Sequence, residues 1–324
     1  MSVAFPYTPF PFNVTAISPL FDLSPVASND TNLGWVPSCT TPECVPTASW
    51  STSAINSTLS FQFWGWDVAF DGNVKGNMSV KVIRDGVPAA WNPSEDTLYS
   101  VRGAPTDQFY LHNITLQIID ASPDAQMTII KARVNGSSFA DNYYPTDRWE
   151  VPSNDERIER IGFDLQTSEA HPESSTTYIS SRAGDTLSMW FNASTFLVYG
   201  SCGPGSGLMR VSINDQQQIV NTSKPFASSD CLLFQTHGLP IFIRHLLLIE
   251  NMDGRTLGIN RFEFFRFIYY KERGMSERTL AVACGTAVAA IACITLVVVY
   301  VWNKAKTKLG EDGLRVNRRW FQLL

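Results

Sequence analysis

The chain has 324 residues, of which 44% are hydrophobic and 17% are charged, and its formal net charge is −5. This composition, with fewer charges than the usual ~25%, excludes intrinsic disorder for most of the chain. The length predicts two domains, or one domain with additional segments. The acidic balance argues against a nucleic-acid partner, because proteins of that class carry a basic surface.

Residues 1–13 do not have the pattern of a secretory signal peptide. They contain no basic residue and three prolines, whereas a signal peptide starts with basic residues followed by an apolar run. We therefore expect residues 1–13 to belong to an incomplete signal region, in a protein whose N-terminus is incomplete or differently spliced; whether Met1 is the true start stays open.

The sequence between residues 14 and 273 contains one domain twice. Thr58–Phe63 (TLSFQF) matches Thr186–Phe191 (TLSMWF) at an offset of 128 residues, and His112–Leu116 matches His245–Ile249 at an offset of 133. Shorter matches are Phe21–Leu23 with Phe163–Leu165 and Gly72 with Gly200. Because most of the offsets stay at about 130 residues, the matches indicate two copies of one structural unit.

Each copy is patterned as β-structure. Short apolar alternations, such as Met78/Val80/Val82, are separated by clusters of Gly, Pro, Asn and Asp, which is typical of strands joined by turns. Period two buries one side of each strand and leaves the other solvated. The sequence therefore predicts an all-β fold of two tandem antiparallel β-sandwich domains of the jelly-roll type, at residues 14–140 and 157–273, joined by a linker at residues 141–156.

An uncharged, mostly apolar run follows the second copy, from Leu280 to Trp302. As a helix it would be roughly 34 Å long, enough to cross a lipid bilayer, and this length favours a membrane helix over a buried core helix. Lys304 and further basic residues follow directly after the aromatic residues that end this run. Aromatic residues at the bilayer interface, followed by basic residues, are typical of the end of a membrane helix. We expect a transmembrane helix at residues 279–302, the lipid bilayer as a partner, and a basic cytoplasmic tail at residues 303–324.

Eight Asn-x-Ser/Thr sequons all precede this apolar run. They begin at Asn13, Asn29, Asn56, Asn77, Asn113, Asn135, Asn192 and Asn221. N-linked glycans are added in the secretory lumen. The sequons predict a single-pass type I membrane protein at the cell surface or in the secretory pathway, with its N-terminal domains outside.

The six cysteines fit the same compartment. Two of them lie inside the apolar run, and the other four form two local pairs, Cys39 with Cys44 and Cys202 with Cys231. We expect both pairs to be disulfides, as is usual outside the cytosol. A zinc site is the alternative, but no histidine stands at ligand spacing, so we expect no metal and no cofactor.

The motifs that recur in both copies resemble the galactose-binding-like jelly roll. They are Phe70-Asp71-Gly72 with Val198-Tyr199-Gly200, the turn after Val80–Val82, and the two His-x-Ile/Leu-x-Leu/Ile segments. Tandem copies followed by one membrane helix are similar to a group of uncharacterised single-pass proteins of basidiomycete fungi. The resemblance implies binding of carbohydrate or protein through loops at one end of the domain, and it names no particular ligand.

Aromatic residues outside the alternations are candidate platforms for sugar rings, because an aromatic face buries C–H surface while polar neighbours bind hydroxyls. These candidates are Trp35, Trp50, Trp91, Tyr143 and Tyr144. The alternative interpretation is that these rings close the ends of the sandwiches or stabilise loops.

We find no catalytic motif of a known class. His112 and His245 occupy equivalent positions, which favours a structural role. Glu169, His171 and Glu173 lie in a polar loop and are expected to be solvated surface. We therefore expect no enzyme activity.

The predicted function is display of two domains that bind carbohydrate, such as a cell-wall glycan, or an extracellular protein. The alternatives are a glycan hydrolase with an unrecognised carboxylate pair and an adhesion or spacer scaffold without a ligand.

Overall fold

The computed structural model describes residues 11–38, 48–65, 67–101, 110–135, 143–166, 176–240, 242–269 and 294–302. Within these ranges the chain forms twenty-two β-strands and one helix at residues 294–302. The strands of the first half are β1 (Pro11–Thr15), β2 (Phe21–Ser24), β3 (Val36–Pro37), β4 (Trp50–Thr52), β5 (Thr58–Gly65), β6 (Asp67–Lys75), β7 (Met78–Arg84), β8 (Val87–Ala89), β9 (Thr97–Val101), β10 (Tyr110–Ala121) and β11 (Gln126–Asn135). Those of the second half are β12 (Tyr143–Pro152), β13 (Glu159–Ile161), β14 (Asp164–Gln166), β15 (Thr177–Ser180), β16 (Thr186–Phe191), β17 (Thr195–Cys202), β18 (Leu208–Ile213), β19 (Gln216–Asn221), β20 (Ser228–His237), β21 (His245–Asn251) and β22 (Leu257–Tyr269).

The strands form four antiparallel sheets, two in each half. In the first half, β3-β4-β11-β6-β9, with β1 also paired to β11, packs against β2-β5-β10-β7-β8. In the second half, β14-β15-β22-β17-β20, with β12 paired to β22, packs against β13-β16-β21-β18-β19. Adding eleven to each strand number of the first sandwich reproduces the second. The predicted all-β fold of two sandwiches and the predicted duplication are confirmed.

The alternation predicted from sequence is what builds the core. In β5, Leu59, Phe61 and Phe63 are at most 1% exposed, while the residues between them face outward. The equivalent positions of β16, beginning with Leu187 at 0% and Met189 at 3%, are buried in the same way. Burial of such side chains contributes about 1.5 to 3 kcal/mol each and drives the pairing of the two sheets.

The second sandwich begins earlier than its sequence suggested. The predicted linker at residues 141–156 contains the ten-residue strand β12, which runs along β22. Two prolines, Pro145 and Pro152, hid this strand in the sequence. β12 tolerates them because β22 is its one partner among the described strands. Prolines are accepted at strand ends, edges and bulges, and the register of β12 against β22 shifts beside Pro145. The first sandwich likewise begins at β1, before residue 14.

The predicted match between Phe21–Leu23 and Phe163–Leu165 was wrong. In the first sandwich, β2, which contains Phe21, pairs with β5. In the second sandwich, β16 is the equivalent of β5, and its partner is β13 and not β14, the strand that follows Phe163. The three-residue match was too short to fix a register. Both phenylalanines are nevertheless buried, at 1% and 6% exposure.

The predicted membrane helix lies mostly outside the described residues. Its last nine residues, 294–302, are helical, and residues 279–293 and the tail at 303–324 lie outside the described ranges. Within the described part of the chain, no helix has the length and apolarity needed to cross a bilayer. The membrane anchor therefore stays a prediction.

The disulfide between Cys202 and Cys231 is present, with its two Cα atoms 6.1 Å apart. It joins β17 to β20 across a register shift of the sheet, and both cysteines are buried, at 2% and 0% exposure. This prediction is confirmed. Cys39 and Cys44 lie outside the described residues.

Candidate functional site

The two sandwiches are joined by a buried interface. The Ser18 hydroxyl donates to the carbonyl oxygen of Leu232 at 2.5 Å, and Ser18 is 0% exposed. The rings of Trp50 and Phe226 lie 5.6 Å apart, both at 2% exposure. Both contacts are shielded from solvent, so the two sandwiches pack directly against each other here.

Gln235 of β20 extends the hydrogen bonding of β5 across this interface. The backbone N–H of Gln62 donates to Leu20 O at 3.2 Å, just before β2. Two residues further along β5, Trp64 N–H donates to Gln235 Oε1 at 3.0 Å, and Gln235 Nε2 donates to Trp64 O at 2.5 Å. Backbone groups of residues two apart point to the same side of a strand. The Gln235 amide therefore takes the place of a strand partner that β2 no longer provides.

A cleft of about 760 Å³ lies between the sandwiches. This volume is within the range of small-molecule sites. Side chains with amide or hydroxyl groups dominate its polar lining, and apolar side chains lie among them. The polar lining residues are Ser60, Gln62, Asn113, Gln216, Gln217, Gln218, Asn221, Gln235 and Thr236; the apolar ones include Leu20, Phe21, Trp64, Leu111 and Ile219.

The strand pattern explains why these polar groups are accessible. On β5, Gln62 is exposed because it points away from the core, and it lies directly opposite the exposed Asn113 of β10. On the other wall, Gln216, Gln217 and Gln218 are all exposed because β19 is the edge strand of its sheet. The cleft thus presents carboxamides from both sandwiches.

The cleft has little charge. Among its lining residues, all within the described part of the chain, Asp22 and Lys224 are the charged ones. Lys224 Nζ donates to Phe21 O at 2.9 Å. Burial lowers the pKa of Lys224, and the nearby Asp22 carboxylate opposes part of that shift. The cleft is therefore suited to a neutral polar ligand and not to a highly charged one.

His237 lies beside the cleft, where the sandwiches meet. Its ring centroid is 5.9 Å from that of Trp64, and its Nδ1 is hydrogen-bonded to the hydroxyl of the buried Thr195. Burial lowers the pKa of His237 to about 3. The imidazole is neutral at physiological pH.

Acidification is expected to destabilise the protein through this residue. The folded-state pKa lies below the unfolded value of 6.5, so the unfolded chain binds a proton first as the pH falls. The free energy of unfolding should therefore drop by about 1.5 kcal/mol between pH 6.5 and pH 5 from His237 alone. Denaturant titrations at both pH values check this. His237→Asn should lose less stability over this interval than the parent protein; an equal loss would exclude His237 as a source.

His112 and His245 both hold a turn. His112 is 4% exposed, and its Nδ1–H donates to Asp85 Oδ2 at 2.8 Å. His245 is 1% exposed, and its Nδ1 accepts from Asn214 Nδ2 at 3.0 Å. Asp85 and Asn214 have a φ of 53° at equivalent hairpin turns, a conformation that needs local support in residues other than glycine. The repeated histidines stabilise these two turns.

Of the five aromatic residues proposed from sequence, Trp35, Trp50 and Trp91 do not line the cleft. Trp35 and Trp50 are 1% and 2% exposed and belong to the core, and Trp35 Nε1–H donates to Thr58 O at 2.8 Å. Their burial leaves no ring face for a ligand: Trp50 opens β4 and faces the core, and Trp35 packs into the core just before β3. Trp91 is half-buried and packs against the core.

Tyr143 and Tyr144 open β12 opposite Tyr269 and Ile268, and their side chains lie outside the described part of the structure. The polar loop with Glu169, His171 and Glu173 also lies outside the described residues. Sequence analysis missed the glutamines of the cleft. The signal that could have found them is the run Gln216–Gln218, which is unusually polar for a strand.

Six of the eight sequon asparagines are exposed: Asn13, Asn29, Asn56, Asn77, Asn113 and Asn221. Asn192 is partly buried, and its Oδ1 has no hydrogen-bond partner among the described residues. The side chain of Asn135 lies outside the described part of the structure.

No family model and no curated protein matches the chain. Among solved structures, Paenibacillus xanthan lyase aligns with 81% of this chain and 25% of its own length, at 10% identity and a TM-score of 0.29. The cycloalternan-forming enzyme of Listeria monocytogenes, solved with a pentasaccharide substrate, aligns with 72% of this chain and 22% of its own, at 14% identity and a TM-score of 0.28.

An uncharacterized protein of Listeria monocytogenes EGD-e, in complex with α-D-glucose, β-D-glucose, magnesium and calcium, aligns with 71% of this chain and 22% of its own, at 11% identity and a TM-score of 0.27. The chain thus spans 22% to 25% of the length of these three proteins. The likeness is distant, and TM-scores this low carry no argument about function.

Proposed function

We propose that this protein is a non-enzymatic carbohydrate-binding protein, and that its ligand is a neutral oligosaccharide held in the cleft between the two sandwiches. The observation that carries the proposal is the lining of this cleft. Carboxamides and hydroxyls from both walls offer donors and acceptors to sugar hydroxyls, and Trp64, Leu111 and Ile219 offer apolar surface to sugar C–H groups. This combination is typical of sugar recognition.

Two features of the interface support a preformed site. Ser18 and Gln235 cross from one sandwich to the other through hydrogen bonds, so neither wall has to move to create the cleft. A preformed cleft lowers the entropic cost of binding.

The fold supports the same class of function. In the first sandwich, one sheet contains the strand order β4-β11-β6-β9 and the other contains β5-β10-β7-β8. The two sheets of the second sandwich have the equivalent strand orders. In chain order this corresponds to the eight-strand arrangement of a jelly roll, an architecture found among lectins. We propose that both sandwiches are jelly rolls of the galactose-binding-like kind.

Binding is favoured over hydrolysis at this site. Glycoside hydrolysis needs two carboxyl groups on either side of the scissile bond, and Asp22 is the one carboxylate among the described lining residues. A protein partner typically buries about 800 Å² of surface on each side of an interface, which favours an open face over a cleft. The sequons and the apolar run at residues 280–302 support display of the domains outside a membrane.

The test is binding of the full chain to an array of neutral and acidic glycans, followed by calorimetric titration with the strongest ligand. The double variant Gln62→Ala/Gln218→Ala removes one carboxamide from each wall. At about 0.5 to 1.5 kcal/mol per hydrogen bond, its affinity should be roughly tenfold lower or weaker. Gln166→Ala changes an exposed glutamine outside the cleft and should bind like the parent. Equal affinity of the double variant and the parent would remove the cleft as the binding site.

A further inference from the structure

Two sequons within the described part of the chain line the cleft. Asn113 lies on β10 in the wall formed by the first sandwich, and Asn221 ends β19 in the wall formed by the second. Both asparagines are exposed. Each heads a complete triplet, Asn113-Ile114-Thr115 and Asn221-Thr222-Ser223.

A local hydrogen bond orients the side chain of Asn221, and another holds the backbone of Asn113. The Oδ1 atom of Asn221 accepts from the backbone N–H of Ser223 at 3.0 Å, which turns its Nδ2 away from the backbone. The backbone N–H of Asn113 is held by Asp85 Oδ1 at 2.8 Å, which fixes the strand beneath an exposed side chain.

We propose that N-linked glycans on Asn113 and Asn221 occupy this cleft and compete with outside sugars, so that the state of these two glycans regulates access to the site. This inference rests on the proposed function, because it requires the cleft to bind carbohydrate. Attachment transfers an oligosaccharide from a lipid diphosphate donor: the bond from sugar C1 to the diphosphate oxygen breaks, a bond from C1 to Nδ2 forms, and Nδ2 loses one proton.

Tethering makes such a glycan an effective competitor. A group held by a short flexible linker has an effective concentration of about 1 mM or more at a neighbouring site. A free sugar must compete with that constant local concentration. A resident glycan therefore raises the apparent dissociation constant of an outside ligand, by about tenfold when its own dissociation constant is near 0.1 mM.

The other sequons provide matched controls. Asn29 and Asn77 are exposed but do not line the cleft. A glycan on either of them lacks the proximity that gives Asn113 and Asn221 their local concentration.

The experiment compares full-length glycosylated protein with Asn113→Gln/Asn221→Gln and with Asn29→Gln/Asn77→Gln. Gln keeps the carboxamide but accepts no glycan. A second variant, Ser223→Ala, removes the Asn221 sequon while keeping both Asn221 and the backbone N–H that holds it. Site occupancy is measured by mass spectrometry, binding on the glycan array, and glycan accessibility by the rate of endoglycosidase trimming of the native protein.

We expect about tenfold tighter binding of the array ligand after loss of both cleft sequons, no change after loss of Asn29 and Asn77, and slower trimming at Asn113 and Asn221 than at Asn29. Equal affinities with equal trimming rates would overturn the regulation and leave the proposed function standing. Unglycosylated Asn113 and Asn221 beside a glycosylated Asn29 would overturn it too. Failure of every form to bind any glycan, with trimming equal at all sites, would refute the proposed function itself.

Discussion

Gly72→Ala and Gly200→Ala are each expected to lower the free energy of unfolding by about 3 kcal/mol, because neither site has room for a methyl group. A Cβ on Gly72 would lie 2.0 Å from the backbone oxygen of Thr128, and a Cβ on Gly200 would lie 2.0 Å from that of Gly258. Both contacts are with neighbouring strands, so relief requires the sheet to separate. Chemical denaturation of each variant measures the loss.

The matched control for these variants is Gly205→Ala. An added Cβ at Gly205 meets no atom within 4 Å, so this variant should unfold within about 0.5 kcal/mol of the parent protein. A small effect at Gly72 and Gly200, similar to that at Gly205, would show that the β6–β11 and β17–β22 pairings can separate at low cost. The steric account of these glycines would then be wrong.

Removal of the disulfide by Cys202→Ala/Cys231→Ala is expected to lower the free energy of unfolding by about 3 to 4 kcal/mol, because the bridge closes a long loop in the unfolded chain. The two cysteines are 29 residues apart in sequence. The bridge also lies close to the domain interface, where Cys202 Sγ is 3.7 Å from the carbonyl oxygen of Ile17. Loss of the bridge should therefore affect both stability and the second wall of the cleft.

Denaturation of the double variant and of the parent under reducing conditions distinguishes the bridge from the cysteine side chains. The parent should lose most of its advantage when reduced, whereas the double variant should lose much less, because only the short loop of the predicted pair Cys39 and Cys44 is left for the reductant to open. If reduction left the parent unchanged and the double variant equally stable, the bridge would contribute nothing to the fold.

The fold could be predicted from sequence because its signals are local and repeated. Strands such as β5 and β16 have a period of two that specifies which side is buried, and the equivalence of His112 and His245 set the register between the copies. The recurring Gly72 and Gly200 helped to align the copies, and only the structure shows that each lies against the backbone of a neighbouring strand. β12 was missed because Pro145 and Pro152 interrupt the pattern of a strand that needs only one partner.

The cleft could not be predicted, because it depends on how the two sandwiches pack. Gln62 and Gln218 are far apart in sequence and lie on different domains, and no local pattern indicates that they line one cavity. The interface is fixed by side chains such as Gln235, whose amide substitutes for a strand partner. Packing also decides the accessibility of Trp35 and Trp50: their sequence positions suggested loop aromatics, and the structure shows that their rings are buried.

Hydrogen–deuterium exchange of the full chain, with and without the neutral oligosaccharide that binds best on the array, tests the central claim most directly. We predict slower exchange in β5, β10 and β19, which line the cleft, and unchanged exchange in β14 and β15. Protection centred on the loops around Trp35 or Trp91, with none in β5, β10 and β19, would contradict the assignment of the ligand to the cleft between the sandwiches.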